Sequence, residues 1–362
     1  MVTIKDINLR YNPFQYLSST RGSTNLVWAG MKKQKKTIEN IYMESFRQDS
    51  KKIILNWGPW GGGKTHAAHY FEKNTVEGLS QEKIIHIYVN TTKGLGKGAV
   101  EDFVKRVIKD IKVKPLRKII TDTVQKIGKE QLENLISQRV DEVIAKTILS
   151  FTNTLYTDEL ILRYMLGGLS KPQLEKTHII QNLKTEQDYI DFLAGLIVTF
   201  TADSDIRVFI WIDEMEDMLA YGSREFKLFS SMLRDFTEKI SEKVIIIMNL
   251  SLAGHDEELV KNLMGSALWR RITDTIRFYE FNELEAVEYL TELTNYAKID
   301  KDLQKPFSAE VIKYVINNIP TALRLPSEIN GHMHTILSYA LDNGITNIKV
   351  ENVKKALEQK EN

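Results

Sequence analysis

One octapeptide constrains this chain more than any bulk property. Gly58-Pro-Trp-Gly-Gly-Gly-Lys64-Thr65 stands directly after the apolar run Ile53-Ile-Leu-Asn-Trp57. A short apolar run that stops abruptly in glycines has the pattern of a buried parallel strand entering a tight turn. A helical pattern follows from Thr65 to about Phe71. The octapeptide fits G-x-x-x-x-G-K-[ST] at every defined position, in the strand–turn–helix context the motif requires. Gly58, Gly61, Gly62 and Gly63 let the backbone wrap so that several N–H groups point inward at phosphate oxygens. The N-terminus of the following helix adds partial positive charge at the same place. Lys64 would reach the β- and γ-phosphates of a nucleotide, and the Thr65 hydroxyl would ligate Mg²⁺.

A second apolar run, Val208-Phe-Ile-Trp-Ile212, ends in the adjacent carboxylates Asp213 and Glu214. Beside a phosphate loop, Asp213 would hold Mg²⁺, directly or through water, and Glu214 would orient and polarise an attacking water. A polar strand end facing solvent is the plainer reading, and the loop upstream weighs against it. Glu216 and Asp217 continue the acidic run and read as a solvated helix face.

Further strand-like runs at Ile84–Val89, Val208–Ile212, Val244–Met248 and Ile276–Phe281 are separated by helical stretches. That alternation predicts an α/β fold with a parallel sheet in a three-layer core. After Asn282 the strand signals stop. Asn282 with Glu285 forms a helix-start signature, and helices are expected near 308–318, 327–342 and 350–360. The expected organisation is an N-terminal arm and helix over 1–50 and a core over 51–281. The core carries a helical insertion at about 99–200, and a helical lid covers 282–362. The absence of cysteine excludes disulfides and thiolate metal sites. No apolar run is long enough for a bilayer, and the start lacks a signal peptide's apolar region, so a cytoplasmic protein without membrane association is expected.

With these motifs placed, the chain resembles an AAA+ ATPase over residues 51–281, and its helical tail matches the position of the AAA+ lid. The resemblance is nearest to the origin-initiator and transposition-regulator branch and to ATPases of bacterial defence islands. It implies ATP and Mg²⁺ as ligands, ATP hydrolysis, and a homo-oligomeric ring or filament. It also assigns roles. Asn249, at the end of the fourth strand, matches the sensor that bonds the attacking water or γ-phosphate, though a strand-end Asn in a turn looks the same. Arg270 or Arg271, just before the fifth strand, matches the arginine finger that stabilises transition-state charge across a subunit interface; two solvated arginines are the alternative. Arg324 matches the second sensor, which contacts nucleotide from the lid, unless it only makes a lid salt bridge. Trp28-Ala29-Gly30 is similar to the segment that cups adenine in initiator-type members, with Met31 where that segment usually carries arginine.

The spacing from Lys64 to Asp213, 213 − 64 = 149 positions, exceeds what a plain core needs. Nine basic residues stand against Asp110 and Asp122 in the stretch 105–129. On one face they would give salt-sensitive nucleic-acid binding without sequence readout; balanced by acids elsewhere they are a solvated face, the reading a charge run favours. The net charge of +1 gives the whole molecule no general attraction to DNA. Glu214 argues against a nucleotide-dependent scaffold that does not hydrolyse, and two further functions remain open. In one, an oligomeric ATPase acts on DNA or a DNA-processing or antiviral defence complex. In the other, a nucleotide-switched ATPase controls a protein partner such as a nuclease without touching DNA. The glycine-rich stretch Thr91–Gly98 suits a mobile loop facing a channel or partner. His66 and His69, one helical turn apart without acidic or cysteine companions, read as packing or surface residues instead of zinc ligands.

Overall fold

A computed structural model of the protein describes residues 2–15, 26–91, 98–177, 179–203, 205–252, 256–300 and 306–361. Most of the Thr91–Gly98 loop lies outside the described residues.

Five strands form one all-parallel sheet: β1 (Lys52–Gly58), β2 (Ile84–Asn90), β3 (Arg207–Asp213), β4 (Val244–Ser251) and β5 (Asp274–Arg277). Their spatial order is β2-β3-β4-β1-β5. Around the sheet run α1 (Lys32–Arg47), α2 (Lys64–Lys73), α3 (Ala99–Ile111), α4 (Val113–Ile127), α5 (Lys129–Ser137), α6 (Glu142–Ser150), α7 (Asp158–Met165), α8 (Lys171–Thr177) and α9 (Glu186–Thr201). They are followed by α10 (Ser223–Lys239) and α11 (Glu257–Trp269), and then by a C-terminal helical domain of α12 (Glu283–Ala297), α13 (Ala309–Asn317), α14 (Pro326–Asp342) and α15 (Val350–Glu361). Among the described residues no helix is long and apolar enough to cross a membrane.

The central strands are near-continuous Val/Ile/Leu runs because both their faces are covered. The two-residue side-chain period sorts them between two cores. Val208, Ile210, Ile212, Val244, Ile246 and Met248 join one apolar cluster, whereas Phe209, Trp211, Ile245 and Ile247 join the other. The second cluster is built on stacked rings: Tyr42 of α1 lies 3.7 Å from Phe209, at 6° to its plane. The first extends without a break into the inserted helices. α9 is buried along almost its whole length, packing on β3 while α3 packs on β2. The long insertion is therefore part of the sheet's own cover.

The fifth strand ends earlier than its apolar pattern suggests, at Arg277. Phe278 and Phe281 are buried in the cluster shared with the C-terminal domain instead, where they pack the junction. Asn282 starts α12 with the expected capping box, its side chain accepting from Glu285 N. The N-terminal arm is tied to that domain. Leu9 bridges Lys298 antiparallel. Arg10 N donates to Ala297 O at 2.8 Å. Phe14 meets Phe307 edge-on at 5.7 Å.

Candidate functional site

Strand register decides which residues meet. Asn56 pairs with Asn249, Gly58 with Ser251, and Asn90 with Asp213. The C-terminal ends of four strands thus lie along one edge of the sheet, where open α/β folds place their ligands. A cavity of about 350 Å³ opens there. Gly61, Gly62, Gly63, Lys64 and Thr65 line one wall; Tyr88, Asn90, Asp213, Glu214 and Glu216 line another.

On the loop side, Gly63 caps α2 with φ 97°, and no side chain caps the helix, so its first N–H groups are left for a ligand. A Cβ on Gly58 (φ 145°) would stand 1.9 Å from Phe278 O, so only glycine lets the loop pass the end of β5. Gly61 (φ 78°) lies equally tight against Ser327 of α14, which brings the C-terminal domain onto the loop. Lys64 is 4% exposed. Its Nζ donates to Gly58 O at 3.0 Å and Pro59 O at 2.8 Å. Burial lowers its pKa to about 8, partly offset by the charges of Glu216 and Asp213. A buried ammonium held by two weak neutral acceptors, beside bare helix N–H groups, suits a polyphosphate.

The carboxylate side is held by side chains from neighbouring strands. Asp213 Oδ1 accepts from Asn249 Nδ2 at 3.1 Å and Glu214 N at 3.0 Å. Its Oδ2 accepts from the Tyr88 hydroxyl at 2.7 Å. Asn249 is fully buried and accepts in turn from Asn56 Nδ2 at 3.0 Å. Glu214 adopts φ 56°, a left-handed conformation that costs a non-glycine residue about 1–2 kcal/mol. Such strain concentrates at functional sites. Thr91 fixes the bend by donating its hydroxyl to the carbonyls of Asp213 (3.1 Å) and Glu214. Burial raises the Glu214 carboxyl above the usual glutamate range, while a hydrogen bond from the Asn90 side chain opposes the shift. The solvated-face reading of Glu216 is corrected. It lies on a short 3-10 helix, faces the cavity and accepts from Ser251 N at 2.9 Å, so the end of β4 turns it inward.

Tyr88, Asn90 and Asn56 were not expected from the motifs. Their one signal is polarity inside strand-like runs, and which carboxylate or amide each reaches depends on strand order. His66 bonds Val27 O at 2.8 Å, and His69 is buried with its ring 4.6 Å from that of Tyr88. Both pack, as expected.

Beyond the phosphate loop the cavity continues between core and C-terminal domain, past Trp28, Ala29, Met31, Tyr289 and Leu293. Here the wall is apolar. Met31 takes φ 44° at the start of α1, Trp28 Nε1 donates to Gly30 O at 2.8 Å, and Gly30 N donates to Glu292 at 2.9 Å. Tyr11, Asn12 and Pro13 of the arm also face this end.

The three arginines lie apart from the cavity. Arg324 donates through Nε to Ile319 O at 3.0 Å and does not line the cavity; Ser327 and Asn330 of α14 do. Arg271 donates to Ala267 O at 3.0 Å and pairs with Glu238 at 3.1 Å. Arg270 is exposed, and its side chain has no intrachain partner among the described residues.

The parallel sheet in this order, the phosphate loop after β1 and the C-terminal helical bundle make up the AAA+ fold. The Aeropyrum pernix ORC2 protein, in ADPNP–ADP complexes, superposes with a TM-score of 0.59 at 11% identity, over 95% of this chain and 71% of that one. Its ADP form gives 0.57 at 10% identity, over 97% and 73%. The Aeropyrum pernix ORC1 protein in complex with DNA gives 0.52 at 12% identity, over 95% and 68%. No protein-family model matches the sequence, and no curated protein matches it.

Proposed function

We propose that the chain binds ATP with Mg²⁺, hydrolyses it, and assembles into a homo-oligomer through the bound nucleotide. The observation that carries this reading is the convergence of the phosphate loop and the Asp213–Glu214 strand end on one cavity that continues past an apolar wall. The residues fit the ligands. The N–H groups of Gly61–Thr65 and the Lys64 ammonium would take the phosphates, while Thr65 and Asp213 would hold Mg²⁺, which neutralises charge on the phosphoryl oxygens. Glu214, whose carboxyl burial raises above the usual glutamate range, would accept a proton from the water that attacks the γ-phosphorus as the bond to the ADP oxygen breaks. Asn249, bonded to Asp213, keeps that carboxylate oriented.

Of the two arginines, Arg270 is the better finger, because Arg271 is spent on contacts within its own chain. Arg324, bonded to Ile319 O and outside the cavity lining, would reach nucleotide only after breaking that bond.

The ORC1 complex with DNA supports a role on DNA; the insertion's charge favours it less. Lys105, Arg117 and Lys126 pair with Glu101, Asp158 and Asp203. Lys109, Lys112, Lys114 and Lys118 stay exposed around the α3–α4 corner. The pairing of the others favours the second reading, in which the insertion addresses a protein partner such as a nuclease, in a defence or DNA-processing complex.

The test is particle mass and ATP turnover, with and without a slowly hydrolysed ATP analogue. Lys64→Ala should bind nucleotide about a hundredfold more weakly, as expected on losing charge-assisted bonds to phosphate. Nucleotide-driven growth in mass supports assembly. Arg270→Ala protein mixed with Lys64→Ala protein should separate a finger acting in trans from one acting within its own chain. A triple Lys112, Lys114, Lys118→Ala variant that binds DNA as well as the parent at every salt concentration would overturn a DNA contact at this corner, and a parent that binds no DNA with or without ATP would overturn the DNA role.

A further inference from the structure

The phenol of Tyr88 plays no part in the phosphate chemistry set out above, yet it makes the shortest bond to the Asp213 side chain, 2.7 Å. The bonding around that carboxylate is uneven. Oδ1 takes two donors, Asn249 Nδ2 and Glu214 N, and both of its in-plane lone pairs are thereby used. Oδ2 takes Tyr88 alone among the described residues. One lone pair is left on the whole group, and it belongs to the oxygen that Tyr88 fixes. The carboxylate cannot rotate to offer another without breaking a bond. Asp213 is 3% exposed, so water does not replace a lost donor freely.

Tyr88 is itself held at its N–H and at its ring. Its strand lies at the sheet edge, where outward N–H groups lack a strand partner. The N–H of Tyr88 is covered instead by Asp110 Oδ2 of α3, at 2.9 Å. Its ring rests against the buried ring of His69, one turn beyond Thr65 on α2. In register, Tyr88 lies opposite Trp211, two positions before the pair Asn90–Asp213, so its side chain follows the strand toward the carboxylate.

We propose that Tyr88 is a positioning residue for the divalent cation: its hydroxyl orients Asp213 so that the remaining lone pair of Oδ2 faces the metal-bearing side of the cavity. Through Asp110 the inserted helices share in holding it there. This inference rests on the reading of the cavity as an ATP–Mg²⁺ site. It predicts that the Tyr88 hydroxyl contributes to metal-assisted nucleotide binding and not to nucleotide binding as such.

The experiment measures the affinity of a slowly hydrolysed fluorescent ATP analogue in EDTA and in Mg²⁺ at matched ionic strength, for the parent and for Tyr88→Phe. Phenylalanine keeps the ring against His69 and removes only the hydroxyl; thermal melts establish that both proteins are folded. The metal-free affinity of the variant should stay within about twofold of the parent, while the gain on adding Mg²⁺ should shrink about tenfold, the worth of one bond to a charged group. The midpoint of a Mg²⁺ titration should rise by the same factor. An unchanged Mg²⁺ gain in Tyr88→Phe overturns the inference alone, as does an equal loss with and without metal. A parent that shows no Mg²⁺ gain overturns the ATP–Mg²⁺ reading, and this inference with it.

Discussion

Gly58–Thr65 and Asp213–Glu214 face each other across one cavity, yet they are held in place differently. The loop is shaped by its own backbone. Glycines at positive φ turn the chain, the helix offers bare N–H groups, and Lys64 folds back on carbonyls five and six residues earlier. The carboxylate pair is shaped by other strands. Asp213 depends on Asn249 from β4 and Tyr88 from β2; Glu214 depends on Asn90; Asn249 depends on Asn56 from β1. A backbone-made site tolerates change in distant side chains and fails on local backbone strain. A site made by side chains from several strands behaves in the opposite way.

The largest effect should come from the carboxylate side. Glu214→Gln keeps the size and one acceptor oxygen but cannot accept a proton, so turnover should fall about a thousandfold, within the range for a general base. Nucleotide affinity should stay within about twofold, because the loop makes that contact. Phosphate release and equilibrium binding measure the two separately. Turnover at the parent rate would remove Glu214 from the chemistry.

Next in size is a backbone effect on the loop side. Gly58→Ala puts a methyl group 1.9 Å from the Phe278 carbonyl oxygen. Neither backbone yields easily, so urea unfolding should show a loss of about 3 kcal/mol or more. Gly63→Ala meets nothing within 4 Å and suffers only its φ of 97°, a cost of about 1–2 kcal/mol. Equal losses at the two glycines would mean that conformational strain alone, and not the approach to β5, sets the loop.

The same contrast explains what the sequence made legible. The loop is a contiguous motif, because each of its functions lies in consecutive backbone units, and Gly58 to Thr65 spell it in order. The sheet could be read from its Val/Ile runs, and the start of α12 from Asn282 and Glu285, for the same local reason. Tyr88 and Asn90 belong to a run that reads only as a strand; their work appears when β2 is placed beside β3 in register. The end of β5 was misplaced because Phe278 and Phe281 are apolar for a different purpose, filling the junction with the C-terminal domain. Glu216 was misread because the turn after β3 aims it inward, and no pattern in the acidic run Asp213–Asp217 encodes that turn.

A smaller effect concerns pH on the loop side. Burial holds the pKa of Lys64 at about 8 without ligand, against 10.5 for a free lysine. Phosphate binds the ammonium form, so nucleotide affinity should decline as pH rises through about 8, on the order of tenfold between about pH 7 and pH 9.5. The sign for folding is the reverse. In that interval the unfolded chain binds more protons at this position than the folded one, so Lys64 adds to the stability of the nucleotide-free protein as pH rises from 8 toward 10.5. Isothermal titration and urea unfolding at the two pH values should therefore move in opposite directions. Parallel movement would mean that another group governs one of them.

The smallest effects belong to residues that neither half of the site holds, and they sharpen the contrast by showing what an uncommitted side chain looks like. Arg271 is committed within its chain: its guanidinium bonds Ala267 O and pairs with Glu238, itself mostly exposed. Screening limits such a pair, and Arg271→Ala should lower stability by about 0.5 kcal/mol, a loss that shrinks in high salt. Arg270 is exposed and its side chain makes no bond or ion pair among the described residues, so Arg270→Ala should leave stability within about 0.3 kcal/mol of the parent at any salt concentration. Both variants of the isolated chain should bind nucleotide as the parent does, since neither arginine lines the cavity. Urea midpoints in low and high salt read the difference. A larger, salt-sensitive loss at Arg270 than at Arg271 would show that Arg270 is committed within its own chain after all and is not free to serve another copy.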